Sequence, residues 1–201
     1  MGRCPSCSQF NTMVEELLPA RSANQTGQAS ARVPVPIGRV PPQSLQRIST
    51  GMDEVDRVLG GGIVPGGFIL LGGDPGIGKS TLLLQLAGSV GRRQPVIYIT
   101  AEESLEQTRI RASRLGAESP QLFVLAEERI QAIESVLAED QWQLAIVDSL
   151  QTVYNPDLES APGSVAQVRE VASRLMRVAK SRLPIFLVGH VNKEGSWRPA
   201  A

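Results

Sequence analysis

The stretch GGDPGIGKST, residues 72–81, follows the apolar run FILLG (68–72) and leads into the apolar stretch TLLLQLAGSV (81–90). From Gly73 to Ser80 it satisfies G-x-x-x-x-G-K-[ST], in the strand-then-helix context that this motif requires. The residue types have physical reasons. Gly73, Gly76 and Gly78 let the backbone curl until successive N–H groups point at phosphate oxygens, at the positive end of the following helix. The Lys79 ammonium reaches the β and γ phosphates, and the Ser80 hydroxyl coordinates magnesium. The expected ATP-binding segment is therefore Gly73, Asp74, Pro75, Gly76, Ile77, Gly78, Lys79, Ser80 and Thr81.

Outward from this loop lie further apolar runs of strand length: VIYIT (96–100), LFVLA (122–126), LAIVD (144–148) and IFLVG (185–189). Stretches of helical period separate them. That alternation predicts an α/β fold, a mainly parallel sheet with helices on both faces. The helix expected over 164–181 carries Val165, Val168, Val171, Ala172, Leu175, Met176 and Ala179 on one stripe. Arg169, Glu170, Arg174 and Arg177 fall largely off it and read as a solvated face rather than a DNA site. Upstream, Ser49 or Thr50 is expected to cap a short helix that turns Met52, Val55, Val58 and Leu59 inward and ends at the glycine run from Gly60. No internal repeat of solenoid length is present.

The strand ends carry the remaining candidates, because α/β sheets present ligand groups at the carboxyl edge of their strands. Asp148 ends LAIVD, where a carboxylate can hold magnesium through water or merely cap a following helix. Glu102 and Glu103 follow VIYIT. A carboxylate there can take a proton from the water that attacks a γ-phosphate, but acidic residues also favour a helix's first turn, and Ser104 to Gln107 resembles a capping box. His190, the one histidine in the chain, follows IFLVG and serves equally as a phosphate sensor or as a hydrogen-bonded structural group.

Twenty Lys plus Arg balance twenty Asp plus Glu, so no global positive field draws the chain onto nucleic acid. No stretch approaches the roughly 18 apolar residues of a membrane span, and the N-terminus has no apolar leader core, so the chain reads as soluble and cytoplasmic with no membrane partner. The two cysteines, Cys4 and Cys7, stand at a spacing shared by half a zinc site, a redox dithiol and two ordinary thiols. They permit no disulfide framework, and too little chain precedes Cys4 for a thioredoxin-like strand. Residues 20–45 combine Ala, Ser, Gln, Gly and Pro without apolar periodicity and read as a linker; a globular domain is expected from about 46 to 201.

In order, GRCPSC…NTMVEE, STGMDEVDRVLGGGIVPGG, LLGGDPGIGKSTLLLQLA, YITAEES, LAIVDSLQTVY and GHVNKEG closely resemble the bacterial RadA (Sms) family of DNA-repair ATPases, over residues 2 to about 195. The resemblance implies a RecA-like P-loop NTPase core in which Lys79, Ser80 and Asp148 serve phosphate and magnesium and Glu102 is the catalytic glutamate. It places the strand ending at His190 between the phosphate-loop strand and the Asp148 strand, before a second DNA-facing loop. It further implies single-stranded DNA and recombination intermediates as partners, a hexameric ring, and ATP-driven branch migration.

Candidate DNA loops are 151–164, which is acidic with one aromatic, Tyr154, and the segment after His190. The family begins with a four-cysteine zinc module, so residues 1–19 resemble its second half, with Cys4 and Cys7 as a partial zinc site. At the other end the family continues into further strands and a protease-like domain, whereas this chain stops at SWRPAA; a chain truncated at both ends is therefore expected, with the ATPase core of 46–201 incomplete at its C-terminus. The alternative function is an ATP-binding module without hydrolysis, either a truncated product or a nucleotide sensor resembling KaiC-type proteins. A nucleotide kinase fits less well, since no Arg-rich lid is visible.

Overall fold

The computed structural model describes residues 34–40 and 46–190, so Cys4, Cys7, most of the expected linker and the segment after His190 lie outside the described residues. The chain divides into two units, Met1–Gln43 and Ser44–Ala201. In the first, Ile37–Arg39 form a single 3-10 turn with no buried residue.

The second unit contains a five-stranded sheet. Its elements in chain order are α1 (Asp53–Val58), β1 (Phe68–Gly73), α2 (Lys79–Val90), β2 (Val96–Thr100), α3 (Leu105–Arg114), β3 (Leu122–Ala126), α4 (Ile130–Leu137), β4 (Leu144–Asp148), α5 (Val165–Ala179) and β5 (Ile185–His190). The strand order is β1-β5-β4-β2-β3, and every neighbouring pair is parallel. β2 and β4 are buried at every residue, as expected of central strands covered on both faces, whereas the edge strands β1 and β3 carry only partly buried and exposed positions.

Alternation along the strands divides the core in two. Val96, Tyr98, Leu144, Ile146, Phe186 and Val188 face α2 and α3, packing with Leu83, Leu84, Leu86 and Ala112. Ile97, Ile99, Ala145, Val147, Ile185 and Leu187 face α4 and α5, packing with Ile130, Ile133, Val171 and Leu175. The period of two along a strand thus explains how five short runs fill two separate layers. On the first face α2 approaches the segment after α3 closely: a Cβ on Gly88 would lie 2.3 Å from the Ala117 carbonyl oxygen.

Some local expectations are corrected. Neither Ser49 nor Thr50 caps α1; its N-cap is Met52, with no side-chain cap. Their hydroxyls instead donate to Asp56, Ser49 at 2.8 Å and Thr50 at 2.7 Å, so the two groups brace the turn from outside. Desolvation raises the Asp56 pKa, but the Thr50 and Ser49 bonds and the Arg93 charge outweigh it and hold the carboxyl below its ordinary value. Met52, Val55 and Leu59 pack on the core, whereas Val58 is 81% exposed because a six-residue helix can present only one narrow face.

On α5 the stripe is narrower than periodicity predicts: Val165 and Met176 are exposed, at the stripe's edge and beyond the reach of the sheet. Arg174 is not simply solvated, since it pairs with Glu134 of α4 in a half-buried contact.

Candidate nucleotide site

The phosphate loop connects β1 to α2. Gly76 and Gly78 have φ of 79° and 97°, a left-handed conformation that disfavours a side chain even though a Cβ would meet nothing there. Gly78 is the N-cap of α2 and offers no side-chain acceptor, so the first N–H groups of the helix are left for a ligand. Lys79 is buried, and its Nζ donates to the carbonyls of Gly73 and Asp74, both at 2.8 Å.

Of the other sequence candidates, Glu102 and His190 meet this loop at the carboxyl edge of the sheet, whereas Asp148 and Glu103 do not line the cleft. A cleft of about 460 Å³ is lined by Pro75, Gly76, Gly78, Lys79, Ser80 and Thr81 together with Glu102, Arg111 and His190. The register explains the convergence. Thr100 pairs with Asp148, so β2 and β4 end together, and Gly73 pairs with His190, so β1 and β5 end together; Val147 pairs with Leu187, so the β1–β5 ends project two residues beyond the β2–β4 ends. Ala101 N then donates to Asp148 O at 2.8 Å, which ties the Glu102 backbone to the end of β4.

Glu102 Oε1 accepts from the Ser149 hydroxyl and lies 3.4 Å from His190 Nε2. Glu103 turns away and pairs with Arg111. The two adjacent carboxylates are thereby separated in role, one facing the cleft and the other tied to α3. The capping box at Ser104 and Gln107 is also present, so acidic first-turn placement and a cleft-facing Glu102 coexist.

Asp148 is buried on the sheet face covered by α2, having the same parity along β4 as Ile146. Its Oδ2 accepts from the Tyr98 hydroxyl at 2.5 Å, while Oδ1 is buried and accepts no hydrogen bond among the described residues. Burial, and next the Asp148 carboxylate, push the Tyr98 phenol well above its ordinary pKa, so it remains a donor. An open carboxylate oxygen at Asp148 and a hydroxyl at Ser80 are hard oxygen donors of the kind magnesium takes, so these residues fit the ion.

Sequence reasoning missed Tyr98, Ser149, Arg111 and Gln151. Gln151 Nε2 donates to the His190 carbonyl at 3.1 Å, linking the segment after β4 to the end of β5. Only Ser149, directly after Asp148, carried a local signal. Tyr98 sits inside an apolar run and reads as core, and Arg111 reads as a helix surface residue. The 151–164 segment is held closely, with Gln167 of α5 bonded to Asn155, Leu158 and Ser160 and Tyr154 bridged to Arg129.

The sheet order, the all-parallel pairing and the phosphate loop after β1 define an α/β RecA-like P-loop fold. The family model described as an AAA domain matches residues 35–196, and the chain belongs to that family. It is 49% identical over 203 residues to DNA repair protein RadA of Bacillus subtilis (strain 168), and 50% identical over 202 residues to DNA repair protein RadA of Halalkalibacterium halodurans. Each match covers 98% of this chain and 44% of the relative, so the chain spans less than half the length of these curated relatives. Among solved structures, the crystal structure of the RadB recombinase matches with a TM-score of 0.54 at 25% identity, covering 72% of this chain and 70% of that one.

Proposed function

We propose that this chain is the nucleotide-hydrolysing core of a DNA-dependent ATPase of the RadA type. It acts in homologous recombination and DNA repair by driving branch migration on single-stranded DNA. The observation that carries this reading is the meeting of Lys79, Glu102 and His190, from three separate strand ends, in the cleft beside the phosphate loop. The names of the relatives, DNA repair protein RadA and RadB recombinase, supply the biological setting.

In this reading the backbone from Gly73 to Thr81 cradles the phosphates of ATP. Lys79 exchanges two neutral carbonyl acceptors for charged phosphate oxygens, which form stronger bonds. Ser80 and Asp148 would hold magnesium, which when bound neutralises charge on the transferred phosphoryl group.

Glu102 takes the proton of the attacking water at Oε2, the oxygen that Ser149 does not engage. His190 stands beside that carboxylate, and the Gln151 bond to its carbonyl connects the cleft with the 151–164 segment, the first candidate DNA loop. The second candidate loop follows His190. A hexameric ring in the cytoplasm is the expected working form, and Cys4 and Cys7 are the candidates for a partial zinc site.

The test is steady-state ATP hydrolysis by the purified 201-residue chain with magnesium, with and without single-stranded DNA, beside a Lys79→Ala control. DNA-stimulated turnover that the control lacks supports the reading. Nucleotide binding without turnover assigns the chain instead to the ATP-binding modules that do not hydrolyse.

A further inference from the structure

Tyr98 lies in the middle of β2, is 1% exposed, and would read as an ordinary core aromatic were it not for its hydroxyl. A phenol buried this deeply needs a partner, and among the described residues that partner is a carboxylate, Asp148 Oδ2, at 2.5 Å. The register makes the contact. Tyr98 pairs with Ile146, so Asp148 is the next residue of β4 on the same sheet face, within diagonal reach of a long aromatic side chain.

The consequence falls on the two carboxylate oxygens. Oδ2 is occupied by Tyr98, whereas Oδ1 is buried and accepts nothing among the described residues. A buried acceptor left open is costly unless a ligand uses it. Asp148 lies on the face covered by α2, whose first turn carries Lys79 and Ser80. Carboxylates that serve metal ions are themselves held by hydrogen bonds from the surrounding protein, and loss of such a partner typically costs about 10–100-fold in metal affinity.

We propose that Tyr98 is a positioning residue for a divalent-cation site: its hydroxyl fixes the Asp148 carboxylate so that Oδ1 is presented to the ion's hydration shell. The inference rests on the magnesium–nucleotide reading of the cleft, and it assigns a role to a residue that never touches the nucleotide.

The test uses the full 201-residue chain and Mn²⁺ as the spectroscopic probe, with free Mn²⁺ counted by its paramagnetic resonance in the presence of ADP. Tyr98→Phe preserves ring volume and removes the hydroxyl. It should weaken Mn²⁺ binding about tenfold or more while leaving metal-free ADP affinity unchanged. Equal Mn²⁺ affinity in the two chains overturns the inference.

A second measurement needs no variant. Ring-labelled tyrosine gives two sets of signals, from Tyr98 and Tyr154, and the Tyr98 set should shift when Mg²⁺ is added to the ADP-loaded chain. A Tyr98 signal that stays still while Mg²⁺ binds also overturns it. If the unaltered chain binds neither ADP nor Mn²⁺, the nucleotide reading itself fails and this inference falls with it. Normal binding by the unaltered chain with no effect at Tyr98 defeats the inference alone.

Discussion

The Ser149 hydroxyl donates to Oε1 of Glu102, joining the turn after β4 to the end of β2 across 47 positions of chain. Ser149 is fully buried, and its own carbonyl accepts from the Thr152 hydroxyl at 2.8 Å, so the donor is fixed from behind. A carboxylate held at one oxygen and free at the other is a suitable base. Glu102→Gln should retain ATP binding and lower turnover by at least about 100-fold. Ser149→Ala should lower kcat about tenfold, worth about 1.4 kcal/mol of barrier, with KM unchanged. Steady-state kinetics separate the two; a rise in KM at constant kcat would place Ser149 in binding instead.

Lys79 anchors the phosphate loop through the Gly73 and Asp74 carbonyls. Lys79→Ala removes the cation that would meet the phosphates. ATP affinity measured by calorimetry should fall by about 100-fold or more, the scale of a lost charge-assisted contact in a closed loop. Unchanged affinity would show that the nucleotide binds elsewhere.

Gly88 sits where α2 meets Ala117, with backbone atoms 2.3, 2.6 and 2.8 Å from an added Cβ. Helix propensity alone would favour alanine by about 1 kcal/mol. The backbone clash outweighs it, so Gly88→Ala should destabilise the fold by about 1–3 kcal/mol, read from the urea midpoint. A more stable variant would show that the α2–Ala117 approach can relax.

Gln167 is buried, accepts from Asn155 N at 2.8 Å and shares its amide protons with the carbonyls of Asn155, Leu158 and Ser160. Gln167→Leu keeps the bulk and strands these groups, at a cost of about 3 kcal/mol. Hydrogen exchange should rise first over residues 155–160. Uniform loss of protection across the sheet would instead indicate global unfolding.

Glu127 accepts bonds from the Arg129 side chain and from the backbone of Arg129 and Glu128, which lower its pKa from 4.5 to about 2. A carboxyl with a depressed native pKa adds stability above its unfolded value and loses it as the pH falls through the folded one. The stability difference between the unaltered chain and Glu127→Gln should therefore shrink between pH 4.5 and about 2, followed by urea denaturation. A difference constant across that window would remove Glu127 from the acid response.

Much of this molecule was legible locally. The bounds of β2, β3 and β4 agree with the apolar runs residue for residue, and β1 and β5 extend theirs by a single residue. Buried parallel strands are continuous apolar segments with nothing else to be. The phosphate loop was legible for a related reason: positive φ at Gly76 and Gly78 is a local steric requirement, written directly as glycine. Periodicity was a weaker guide to the helix faces. It marked the centre of the α5 stripe at Val168, Val171 and Leu175 but not its edges at Val165 and Met176, because the width of a buried face depends on the neighbour that covers it.

What only the tertiary structure decided is which distant groups touch. Nothing local showed that the side chains of Glu102 and His190 would share the cleft beside the phosphate loop, and nothing local marked Tyr98 as a partner of Asp148. Those answers depend on the strand order β1-β5-β4-β2-β3, which is set by crossovers and by helices competing for two sheet faces. Propensity and motif act over a few residues and so specify strands, turns and the phosphate loop. The pairing of Tyr98 with Asp148, and of Ser149 with Glu102, arises only when the packed sheet sets β2 beside β4 in register.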